Sequence, residues 1–218
     1  MDSPKAPSRL NEKAWYLGIV VSSIAFINWG QGIDWQFSTI TAYSLFPLFG
    51  LLAFSLMWTH YIVGALRRKM AVDKSVVKDY FAITGWVVLL LICLHPGLLW
   101  FQLWRDGFGL PPSSYLNNYV APTLKWAAML GTASLLMFLA FEFKRWFGKK
   151  KWWVAIEYAN VAAMFAILVH SLKLGTNLQT GSSLRGLWIF YGITLVISIV
   201  YIYGGKHSDK IAKLKGNQ

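Results

Sequence analysis

The sequence predicts an all-α integral membrane bundle of six transmembrane helices with both termini on the cytoplasmic side. Three observations predict it. Apolar runs of about 20 residues, the length a helix needs to cross a bilayer, recur six times along the chain. Charged residues make up only 14% of the 218 positions, against about 25% in soluble domains, and they cluster between the apolar runs. Lys and Arg fall on alternate connections, which is how membrane proteins fix their orientation.

The predicted spans cover residues 14–30, 42–66, 80–104, 120–143, 152–173 and 184–204. Residues 1–13 form a cytoplasmic tail, 14–204 one membrane domain and 205–218 a basic cytoplasmic tail, with neither an internal repeat nor a second domain. The first span is the shortest and ends in the polar stretch from Asn28 to Asp34. Its leader, MDSPKAPSRLNEKAW, lacks the short apolar core and small-residue cleavage site of a signal peptide. The first span is therefore expected to act as an insertion signal that stays in the protein.

Orientation follows from the basic residues. With the N-terminus inside, 17 of the 21 Lys and Arg lie on inner segments: Lys5, Arg9 and Lys13; Arg67 to Lys69, Lys74 and Lys78; Lys144, Arg145 and Lys149 to Lys151; and four in the C-terminal tail. Arg105, Lys125, Lys173 and Arg185 are left outside. The net charge of +12 is thus spread around the spans and forms no single basic surface, which argues against a nucleic-acid partner. Cys93 is the only cysteine, so neither an intrachain disulfide nor a cysteine-based metal cluster is available. The longest outer loop, Arg105 to Ala121, holds Gly107, Gly109, Pro111 and Pro112. These residues break the third helix and build a turn, and the loop follows the span of His95 closely enough to act as a lid.

Three of the four histidines lie inside spans, where an ionisable side chain is costly and marks a functional candidate. His207 belongs to the basic tail. His95 and His170 lie 15 and 18 residues along outward-running spans, so both sit about 22–27 Å from the inner end at 1.5 Å per residue. Two neutral imidazoles at one level on two helices suit axial ligation of a haem iron. The competing reading is interhelical hydrogen bonding. Ile92, Leu91, Val88 and Thr84 continue the His95 face, with Gly85 beside them where a ring edge can approach. Pro96 marks a possible kink. Arg105, Lys125, Lys173 and Arg185 lie at or just above this level and suit a haem's propionates, or else they snorkel to the outer interface.

His60 lies in the inner third of an inward-running span, and Glu157 six residues past Lys151 lies at similar depth, with Asn160 near it. The two are a candidate polar pair for a proton relay or a quinone head group; otherwise each meets water near the inner surface. The 12 Trp, 10 Tyr and 14 Phe concentrate at span ends, as Trp100, Trp104, Trp146, Trp152 and Trp153 do, and read as an interfacial belt. Trp86 and Trp126 fit that belt less well.

The segments LLLICLHPGLLW and EYANVAAMFAILVHSLKLG resemble the ferric reductase-like transmembrane domain family. That family includes the membrane cores of NADPH oxidases, metalloreductases and the haem-binding subunit of bacterial methionine sulfoxide repair. The resemblance covers roughly residues 40 to 200. It implies haem b held on the third and fifth helices by His95 and His170. Many members stack a second haem on histidines 13 or 14 residues earlier, where this chain has Phe81 and Glu157, so one haem per chain is expected. The resemblance also implies electron flow outward from a cytoplasmic donor, as in the membrane subunit of an oxidoreductase. No flavin or nicotinamide domain is expected here, and a separate reductase or a membrane quinol is the expected donor. Two rival readings stay open at this point, a proton-coupled transporter built on His60 and Glu157 and a haem-free assembly subunit.

Overall fold

The computed structural model describes residues 9–143 and 147–215, with side chains described to residue 204. The tail through Ser8, the inner-loop residues Lys144, Arg145 and Trp146, and the side chain of His207 lie outside the described residues. Among the described residues the only regular secondary structure is helical, without strands. Helices α1 (Leu10–Gly32), α2 (Ala42–Lys69), α3 (Lys78–Arg105), α5 (Lys125–Glu142), α6 (Trp153–Leu174) and α7 (Ser183–Lys215) are long, and α4 (Ser113–Asn118) is a short helix in the outer loop. Five are long and apolar enough to cross a membrane: α2, α3, α5, α6 and α7. The expected first span corresponds to α1, which is 23 residues long. Asn28 and Gln31 dilute its apolar run, and it falls outside the five.

Local chemistry sets the boundaries. Thr41 caps α2 through a reciprocal pair with Ser44, the capping box. Arg67, Arg68 and Lys69 fill the last turn of α2, where cations meet the negative end of the helix dipole. The Asp73 carboxylate accepts from the Ser75 amide at 2.8 Å and starts the turn that leads into α3. Gly107 and Gly109, at φ of 85° and 82°, end the α3 exit in a left-handed conformation that glycine adopts freely. Pro47 and Pro96 lie inside α2 and α3, both of which run unbroken through them. Neither proline ends its helix. A proline removes one backbone donor, and here that leaves the Ile92 carbonyl without its partner four residues on. α7 continues well past the expected end of the sixth span.

α2 is the hub. It packs on α1, α3 and α7, while α5 and α6 form a second close pair. The most apolar stretch of α2 is 56% buried within the protein, compared with 17% for α3 and 11% for α6. An aromatic stack joins α2 to α7: Trp58 lies on Tyr191 with centroids 4.2 Å apart, and Phe54 on Trp188 at 5.4 Å. Offset stacks of this kind contribute about 0.5–1.5 kcal/mol beyond their burial. The indole nitrogens are satisfied, Trp58 donating to Thr194 at 2.9 Å and Trp188 to Ser171 of α6 at 3.0 Å. The two pairs, α2–α3 and α5–α6, touch lightly through α3 with α5. Among the described residues α3 and α6 make no extended contact with each other, yet each carries one of the two matched histidines.

Candidate functional site

His95 and His170 come together. Their ring centroids are 6.4 Å apart and their planes are crossed at 88°. The His95 Nδ1 lies 2.7 Å from the Phe46 carbonyl of α2, and the His170 Nδ1 lies 2.8 Å from the Ala127 carbonyl of α5. A carbonyl oxygen only accepts, so each Nδ1 carries the proton and donates. In a neutral ring Nε2 is then the nitrogen with the free lone pair, and among the described residues neither Nε2 has a hydrogen-bond partner. Each imidazole is thus fixed in orientation and tautomer by the neighbouring helix, α2 for His95 and α5 for His170, whose carbonyl it binds. This is the outer-shell arrangement of metal-ligating histidines.

The separation suits one metal ion between the rings. Two metal–imidazole bonds of about 2.0–2.1 Å, with each ring centre about 1.1 Å behind its nitrogen, put the centroids about 6.2–6.4 Å apart when both Nε2 atoms point at the ion. Among the described residues no group of three or more His, Cys, Asp or Glu could hold a metal ion. Two imidazoles alone leave a metal under-coordinated, so the other positions would come from a ligand that is not protein.

The loop from Arg105 to Ala121 packs over this site. Phe46 packs against His95 at 5.3 Å, and Tyr119 from the loop packs edge-on against Phe46 at 6.0 Å and parallel to Tyr43 at 5.7 Å. Tyr43 donates its hydroxyl to the Asp106 carboxylate at 2.6 Å, and Gln102 donates to the same group at 2.8 Å. At the other end of the loop, Tyr115 and Thr132 of α5 share a hydrogen bond at 2.9 Å. The loop thus bridges both helix pairs.

The hydrogen bonds from Tyr43 and Gln102 hold the Asp106 carboxyl below its ordinary range. A lowered folded-state value means that this contribution is present above the unfolded value, about 3.9, and fades as pH falls through the folded one. Asp106→Asn is expected to raise amide hydrogen exchange across residues 106–120 several-fold at pH 6 and to remove its acid dependence. Unchanged exchange in the variant would show that the loop is held elsewhere.

Arg105, Lys125, Lys173 and Arg185, expected outside, do not converge on one group. Arg185 donates through Nη1 to the carbonyls of Leu172 at 3.1 Å and Leu178 at 2.8 Å, capping the end of the His170 helix. Lys125 donates to Asn117 of the loop at 3.0 Å. Arg105 and Lys173 are exposed and follow His95 and His170 in sequence, respectively.

Thr84, Val88, Leu91 and His95 occupy one stripe of α3, and the structure turns that stripe toward α2. Val88 and Leu91 are buried in the main core with Ile92 against them. The Thr84 hydroxyl donates to the Tyr80 carbonyl at 2.5 Å and accepts from His60 Nε2 at 2.7 Å. Thr84 and Val88 therefore serve the α2–α3 contact, whereas Gly85 faces open space. The reason is periodicity, because the same i, i+4, i+7 positions that carry His95 to Phe46 carry Thr84 to His60.

The expected pairing of His60 with Glu157 is replaced. The partner of His60 is Thr84, and its ring lies 5.1 Å from Phe81. Glu157 lies within electrostatic reach of Tyr203 on α7, which packs against Tyr158 at 5.6 Å. Asn160, one turn outward, has a buried Oδ1 without a partner. Of the expected belt residues, Trp104 and Trp152 are exposed, but Trp153 is 3% exposed and packs against Phe141. Sequence reasoning missed Phe46, Gly50, Ala127 and Gly131, the residues behind the two imidazoles; their only signal is a glycine four residues after a carbonyl, a pattern too common to single out. No family model, curated protein or solved structure matches the chain.

Proposed function

We propose that this chain is a membrane b-type cytochrome of six spans with both termini inside, in which His95 and His170 hold one haem b in the outer half of the bilayer. The observation that carries the reading is the close pair of imidazoles, with centroids 6.4 Å apart and both Nδ1 atoms bound to carbonyls. A planar macrocycle supplies the equatorial ligands that two histidines cannot. When bound, the haem supplies one-electron chemistry by cycling its iron between two oxidation states. The residues do the rest. His95 and His170 present neutral Nε2 atoms, Phe46 and Ala127 orient them, and the loop over Phe46 limits water. Lys173 and Arg105 are the cations left for carboxylates at the outer edge.

The likeness to ferric reductase-like domains supports electron transfer from a cytoplasmic reductase or a quinol to an outer acceptor. The Phe81 and Glu157 positions support a single haem. Phe81 packs on His60 and Tyr80, and His60 is committed to Thr84. The test is the spectrum of the purified protein. Reduced-minus-oxidised Soret and α bands are expected, with about one haem per chain, because one pair of axial imidazoles serves one iron. Ring planes crossed at 88° are expected to give a strongly anisotropic low-spin ferric electron paramagnetic resonance signal. A colourless protein that takes up no added haem overturns the reading.

A further inference from the structure

We infer that Gly50 and Gly131 are positioning residues for the two imidazoles, each working with the carbonyl four residues before it on the same helix. The inference rests on the haem reading for its consequence and on the geometry alone for its existence. Phe46 and Gly50 stand behind His95, and Ala127 and Gly131 stand behind His170. A Cβ at Gly50 would lie 2.8 Å from both Cε1 and Nδ1 of His95; one at Gly131 would lie 2.6 Å from the same atoms of His170. Carbon atoms pack at about 3.5–4.0 Å. Any side chain would thus push the ring off its carbonyl by roughly 1 Å.

The coincidence is what gives the pattern force. In both helix pairs the glycine clears the Cε1–Nδ1 edge of the ring, the same edge that donates to the carbonyl. That edge fixes which nitrogen is protonated and how the ring plane is turned. The two devices sit on α2 and α5, which do not pack against each other extensively, so one packing accident cannot explain both. The structure therefore repeats one arrangement on two helix pairs: an inward-running helix offers a carbonyl and a glycine, and an outward-running partner offers an imidazole. Its function is to hold Nε2 forward and to set the angle between the two rings.

The test uses the full-length protein with Gly50→Ala and Gly131→Ala. Gly64→Ala on α2 is the control, since a Cβ there meets only Ile202 at an ordinary 3.7 Å. In haem-free protein, nitrogen-15 imidazole spectra are expected to show a hydrogen-bonded Nδ1–H for both histidines in the parent and in Gly64→Ala. Gly50→Ala is expected to lose it at His95, and Gly131→Ala at His170. In haem-loaded protein the two variants are expected to retain haem about 10–100-fold more weakly, as changes to groups that orient metal ligands do. The low-spin signal should shift in anisotropy with them. Parent-like imidazole and haem spectra in both variants overturn the inference. A parent that never binds haem sinks the cytochrome reading and leaves the imidazole measurement standing. If a glycine variant fails to fold, Gly50→Ala with His95→Ala decides the matter. Removing the ring should restore folding to the level of His95→Ala alone, and a double variant that still fails shows that the glycine serves helix packing only.

Discussion

His95→Ala and His170→Ala are each expected to abolish the low-spin haem spectrum. On the proposed reading each change would remove one of the two nitrogens that hold the haem, and a single imidazole would not close the site. The two variants should behave alike, because the rings are equivalent in geometry: both bind a backbone carbonyl through Nδ1, at 2.7 and 2.8 Å. His60→Ala is the informative contrast. Its Nε2 is spent on Thr84, so the haem spectrum should be unchanged while stability falls by about 1 kcal/mol for one hydrogen bond. Visible spectra of membranes expressing the three variants check this directly. Bleaching by His60→Ala with a normal His95→Ala spectrum would move the site to the inner half and refute the assignment.

Much of this site was legible in the sequence, and the reason is periodicity and length. Helical rise is constant, so counting from Tyr80 and Trp152 places His95 and His170 at one depth, and the structure brings their rings together. The helix boundaries were legible because Gly107, Pro122 and the basic clusters punctuate the apolar runs. What counting cannot supply is rotation about each helix axis. The stripe of Thr84 and Val88 was expected to face a cofactor and instead packs on α2, since hydropathy alone does not separate a cofactor-facing surface from a helix-facing one. The same blindness bears on the pairing of His60 with Glu157, which was read from depth alone, whereas the His60 Nε2 pairs with Thr84. Arg185 shows a third limit. Its charge and height suited a carboxylate ligand, but the Leu172 carbonyl near the end of the His170 helix and the Leu178 carbonyl in the turn after it claim its guanidinium.

The largest expected loss of stability comes from Trp188→Ala. Trp188 is fully buried, touches Phe54 and Tyr191, and donates to the Ser171 hydroxyl. In a bilayer, helix association depends on van der Waals packing and interhelical hydrogen bonds more than on apolar burial. Deleting the indole removes both at once and leaves a cavity among α2, α6 and α7. Large-to-small changes of this kind cost about 3–5 kcal/mol in soluble cores. Ser171 follows His170 directly, and Arg185 holds the next carbonyl but none other on that turn. The outer end of α6 therefore depends on α7 for its position. Trp188→Ala should lower the thermal midpoint in detergent and weaken haem retention together, whereas Trp188→Phe, which keeps a ring and loses the donor, should cost about 1 kcal/mol. Circular dichroism melts of the three proteins, with haem absorbance followed in the same samples, separate the outcomes. A melt of Trp188→Ala matching the parent would show that the aromatic stack does not hold α7 to the bundle. A lowered melt with unchanged haem retention would show that the His170 end of α6 is held independently of it.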